Sequence, residues 1–110
     1  MQCLPNLDYL LVYGIFQQKV YDLDNVGYDI IDLGKSTSIF KFQYSIRIKD
    51  IEYATVLFEP HSSILASDSG MIKISNWVLY SEHMSAIVLD LFASLAFRFV
   101  RVSRLDICVD

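Results

Sequence analysis

The residues RLDICVD, Arg104 to Asp110, place two aspartates four positions apart in an apolar run. Carboxylates are the usual protein ligands of hard divalent cations, and they also serve as general bases. Read as a strand, the segment turns Arg104, Asp106, Cys108 and Asp110 to one face. Leu105, Ile107 and Val109 then point the other way, into the core. Asp106 and Asp110 would lie ~13 Å apart at ~3.3 Å per residue, too far to share one cation at ideal geometry. Strand twist or a bulge would bring them nearer. Asp106, between Arg104 and Cys108 on the polar face, is by itself the better ligand or base candidate. The competing reading is a surface aspartate paired with its neighbouring arginine, a common and weak arrangement.

Three of the nine basic residues, Arg98, Arg101 and Arg104, fall within seven positions just before these carboxylates. Such a cluster is either a solvated face or an edge that contacts phosphates. The other chemistry-bearing types are dispersed. His61 follows Pro60 in a loop and His83 falls in the first turn of a helix, so both read as solvated. The chain has no G-x-S-x-G elbow, no phosphate-binding G-x-x-x-x-G-K-[ST] loop and no G-x-G-x-x-G. Tyr28, Tyr44, Tyr53 and Tyr80 lie on or beside strands, where the ring packs and the hydroxyl reaches water. Trp77 reads as an anchor for the helix, with stacking on an unpaired base as a second role. Asn76 is placed to hydrogen-bond a loop.

The elements that must position these residues follow from periodicity. Asp8–Tyr13 is β-branched and aromatic, and Phe16–Tyr21 is its hairpin partner. Asp22–Gly27 carries turn chemistry, and Tyr28–Leu33 is a short strand. In FKFQYSIRI, apolar residues from Phe40 to Ile48 alternate with Lys41, Gln43, Ser45 and Arg47, the pattern of a half-buried strand. Lys49 and Asp50 turn the chain into a second long strand, Glu52–Glu59, stopped by Pro60. His61–Gly70 is loop, and Met71–Leu79 is a further strand. The period then changes: Met84, Ile87, Val88, Leu91, Phe92 and Leu95 make a helical stripe. Ser81 is a suitable N-cap, so one long helix is predicted over 82–97. Val102–Val109 returns to period two. The fold class is therefore α+β, an antiparallel sheet with one long helix packed on a face.

With 110 residues the chain makes one domain, 1–110. Its hydrophobic content of 54% exceeds the ~45–50% usual in soluble domains, which points to a missing partner, either another subunit or further polypeptide. A net charge of -4 argues against a large electrostatic footprint for nucleic acid on this chain taken alone. Cys3 and Cys108 read as free thiols in a reducing compartment. The first sixteen residues lack a basic n-region, and Asp8 interrupts their apolar stretch, so they read as neither signal peptide nor membrane span. The expected location is cytoplasmic.

The segment MIKISNWVLYSE, the apolar helix after it and VSRLDICVD together resemble the replication initiation factor family. These are the rolling-circle Rep proteins of certain plasmids and small or filamentous bacteriophages. The likeness covers about the last forty residues. It implies an N-terminal portion of a sheet-based nicking domain, in which acidic side chains hold Mg²⁺ or Mn²⁺ and a tyrosine attacks a phosphodiester of origin DNA. Residue by residue, Asp106 and Asp110 match the acidic, metal-holding positions and Arg104 the motif arginine. The nucleophilic tyrosine is expected downstream, so catalysis by this chain alone is not expected and its status as an enzyme stays open. The implied partners are origin DNA and a missing C-terminal segment or a second copy. The alternative is a non-enzymatic assembly module with an exposed apolar sheet face.

Overall fold

A computed structural model describes residues 6–23 and 27–108. Cys3, Val109, Asp110 and the middle of the expected 22–27 turn lie outside the described residues. The elements run β1 (Asn6–Phe16), a 3₁₀ turn (Val20–Asp22), β2 (Asp29–Asp32), β3 (Phe40–Ile48), β4 (Ile51–Pro60) and β5 (Ser69–Ile74). Then come α1 (Asn76–Leu79), α2 (Met84–Ser94) and β6 (Phe97–Cys108). All six strands form one sheet in the order β2-β3-β4-β5-β1-β6, antiparallel throughout. The class is α+β, as the alternation of periods predicts.

The core is built from cross-strand rows. Val12, Ile72, Val56 and Tyr44 stand side by side on four consecutive strands, and Ile74, Ala54 and Ile46 form the next row. All seven are buried, and Val78, Leu79, Leu91 and Leu95 of the two helical segments close over them. The opposite face carries no helix among the described residues. The β3–β4 hairpin forms as its alternation predicts. Lys49 and Asp50, at φ 51° and 68°, make the two-residue turn whose twist suits a hairpin.

Four expectations are corrected. Phe16–Tyr21 is not a hairpin partner; β1 instead runs straight through Gly14, and its neighbours are β5 and β6. Gly14 serves close approach, not a turn. It stands opposite Gly70, and the rings of Phe97 and Phe16 lie over these two backbones. A Cβ on Gly14 would sit 2.5 Å from the Phe97 ring, and one on Gly70 2.5 Å from the Phe16 ring. The strand expected over 71–79 stops at Ile74, and α1 follows. Ser75 makes a last backbone bond to the Tyr53 carbonyl, after which helical geometry buries both Val78 and Leu79. In place of one long helix there are two short ones, because the chain turns at Ser81 and again at Ala96, whose φ of 52° directs it into β6. β6 therefore begins at Phe97, five residues before the expected strand.

Tyr28, expected to point its hydroxyl to water, donates it to Asp90 of α2 at 2.5 Å, tying the β2 end of the sheet to the helix. Burial, then this bond, holds the Tyr28 hydroxyl protonated well above its ordinary range. No helix among the described residues is long and apolar enough to cross a membrane.

Tyr44 is buried, and burial first, then the charge of Asp32, pushes its hydroxyl up to about 12. An unfolded tyrosine ionises near 10, so stability is fully present below that pH. It falls as pH rises from 10 to about 12, by up to about 1.4 kcal/mol per unit for the one group. Urea midpoints at about pH 9 and about pH 11 should therefore differ less for Tyr44→Phe than for the wild type.

Candidate nucleic-acid interface

Residues directly opposite one another in an antiparallel ladder point to the same face. In β6, Arg104 is opposite Leu11, Arg101 opposite Tyr13 and Arg98 opposite Ile15. All three β1 partners belong to the helix-free face, because Val12 between them is in the core. Three-residue spacing in a regular strand would send alternate arginines to opposite faces. Two bulges prevent this. The register skips Ser103 between Arg104 and Val102, and skips Val100 between Arg101 and Phe99. Each inserted residue resets the parity, so the three arginines line up. Arg47 of β3 sits next to core Ile46 and shares this face, which thus carries all four arginines of the chain.

Aromatic rings hold two of these arginines. The Arg101 guanidinium lies 4.3 Å from the Tyr13 ring centroid, and that of Arg104 lies 4.5 Å from Tyr9. The Lys73 ammonium reaches the Tyr9 ring from β5 at 5.0 Å. Cation–ring attraction of this kind orients a guanidinium without neutralising it. Tyr13 is almost fully covered as a result.

Asp106 stands opposite Tyr9 on the same face, partly exposed. Arg104 donates to both of its oxygens, Nη2 to Oδ2 at 2.9 Å and Nε to Oδ1 at 3.4 Å. The surface ion pair weighed from the sequence is therefore present, and the same geometry keeps the carboxylate accessible on an open sheet face. Arg98 and Arg101 make no ion pair among the described residues. Asp110, the second acidic position, lies outside the described residues. Among the described residues no three His, Cys, Asp or Glu side chains converge as a metal centre would require. Asp106 fits a divalent cation only as one hard oxygen donor that needs others beside it.

Leu105 is corrected. It points to the helix side, opposite Leu10, but stays 49% exposed because neither helix reaches over the outer part of β6. Phe99 and Val102 share this row and are as open.

The remaining candidates serve structure. The Trp77 indole donates to the Glu52 carbonyl at 2.7 Å and packs edge-on against Tyr53, so it anchors α1. His61 Nε2 lies 3.0 Å from the Thr37 carbonyl and ties two loops together, while His83 is exposed. Asn76 lines a polar depression of about 190 Å³ with Glu52, Thr55, Lys73 and Ser75. Beside it, the Ser45 hydroxyl donates to Glu52 and accepts from Arg47 Nε.

Tyr9, Tyr13 and Lys73 are site residues that sequence reasoning missed. Tyr9 and Tyr13 are four apart in one strand, a sign that they share a face, but nothing in the sequence pairs them with the arginines. Searches against protein-family models, curated proteins and solved structures give no match for this chain.

Because both partners of the Arg104–Asp106 pair are well exposed, the pair adds little to folding. Asp106→Ala should leave the urea midpoint within measurement error of the wild type.

Proposed function

We propose that this chain is the N-terminal part of a rolling-circle replication initiator that nicks origin DNA by metal-assisted tyrosine transesterification. The observation that carries the reading is the collection of Arg98, Arg101, Arg104 and Asp106 on one accessible sheet face, within the strand that holds the resembling motif. Asp106 and Asp110 are assigned as oxygen ligands of Mg²⁺ or Mn²⁺, a cation that would draw charge from the scissile phosphate. Arg104, released from Asp106, contacts that phosphate. A tyrosine hydroxyl from a downstream segment replaces the sugar oxygen on phosphorus, and the departing oxygen takes a proton. One phosphodiester is exchanged for another, with no net loss of bonds.

The test uses the reading frame that contains this chain, with supercoiled origin plasmid and Mg²⁺ or Mn²⁺. Nicking should require the cation and fall ~100-fold in Asp106→Ala. Nicking that is indifferent to Asp106 would sink the reading.

A second reading has its own observation: the half-exposed apolar row of Phe99, Val102 and Leu105 on the sheet's edge strand. In an assembly module this row is the contact face. Light scattering would then show a defined oligomer, indifferent to DNA and cation, that Val102→Lys dissociates. A monomer under the same conditions rules it out.

A further inference from the structure

The spacing of the β6 arginines identifies a ligand more closely than the charge alone. Each bulge folds three residues into two ladder steps, so successive arginines from Arg98 to Arg104 rise along the strand by ~6.6 Å. That pitch is commensurate with successive phosphates of one extended nucleic-acid strand. The three positions lie along a single β-strand, whereas the phosphates of a duplex wind away around its axis.

The surroundings favour unpaired bases. Inboard of the arginines on the same face stand Leu11 and Ile15 of β1, then Met71 of β5, each only partly buried. They offer an apolar floor to bases turned inward from the phosphates. The rings of Tyr9 and Tyr13 are not free stacking platforms, because cations already lie over them. Their role is to hold the guanidiniums in line.

We infer that β6 is a phosphate ladder for single-stranded nucleic acid, with Arg98, Arg101 and Arg104 contacting three successive phosphates and Tyr9 and Tyr13 acting as positioning residues. The inference rests on the DNA-handling part of the proposed function but needs no nucleophile. Arg98 and Arg101 are free of ion pairs among the described residues, and Arg104 joins the ladder by exchanging its bonds to Asp106 for a phosphate. Because contact is made to the backbone, binding is indifferent to base sequence.

Fluorescence anisotropy of the 110-residue chain with a labelled oligo(dT) of about 12 nucleotides tests it. Three single-strand phosphate contacts predict that log affinity falls with log salt at a slope of about -2. Arg101→Ala should make that slope shallower by ~0.7 and weaken binding ~5-fold at low salt, with a thermal melt that stays cooperative and drops only slightly, from the lost contact with the Tyr13 ring. Tyr13→Phe keeps the ring and should keep both slope and affinity, while Tyr13→Leu should lose affinity as Arg101→Ala does. Lys35→Ala, in an exposed loop away from β6, should change nothing. The ladder is overturned by a slope that Arg101→Ala leaves unaltered. It is also overturned by a blunt duplex, or a polyglutamate of equal charge, binding as tightly as oligo(dT). If oligo(dT) binds as described but the longer frame does not nick, the initiator reading alone fails. If Asp106-dependent nicking occurs while binding ignores Arg101, the ladder alone fails.

Discussion

The antiparallel pairing of β1 with β6 is the constraint on which the rest depends. β1 is enclosed between β5 and β6, so from Tyr9 to Phe16 it lends one face to the core and the other to the helix-free surface. Gly14 of β1 and Gly70 of β5 face each other without side chains, which lets Phe16 and Phe97 lie close over the sheet. Phe16 packs at 5.2 Å from Phe58 and 4.9 Å from Phe97, so the same contact fastens β6 to the core. A side chain at either glycine would push those rings away and loosen the strand that carries the arginines.

Along this pairing, two inserted residues decide the electrostatics. The chain as a whole is acidic, and a uniform charge distribution would repel a polyanion. Instead all four arginines are gathered on the helix-free face, two of them laid against tyrosine rings. Arg47 and Arg104 pair there with Glu52 and Asp106, so the positive charge left without an ion pair among the described arginines is that of Arg98 and Arg101 on β6. Bulges also bend and twist an edge strand and make it a poorer template for pairing with another chain. Val100 and Ser103 thus serve both to align the cations and to guard the sheet's edge.

The apolar excess of the composition has a visible destination. Much of it fills the rows under α1 and α2, where the aromatic rings interlock. The rest emerges on the helix side of β6, where Phe92 reaches Phe99 but nothing described covers Val102 or Leu105. The two faces of one edge strand therefore differ sharply, cationic on one side and apolar on the other.

Period and turn chemistry determined the α+β class, the β3–β4 hairpin and the buried stripe of α2, because each depends on residues near one another in the chain. The same local logic failed for the hairpin of Asp8–Tyr13 with Phe16–Tyr21, where Gly14 is a close approach within one strand, and at Asn76–Leu79, which looks like strand and becomes helix once Val78 and Leu79 find the core. Asp106 was legible as an accessible carboxylate beside Arg104, since both lie two apart in one strand. That Arg98, Arg101 and Arg104 share a face was not legible. A three-residue spacing argues against it, and only the register against β1 reveals the two bulges. The residue types near the chain's end were thus a matter of sequence alone. Their alignment into one cationic face was decided by strand pairing, because a bulge exists only relative to the strand it is paired with.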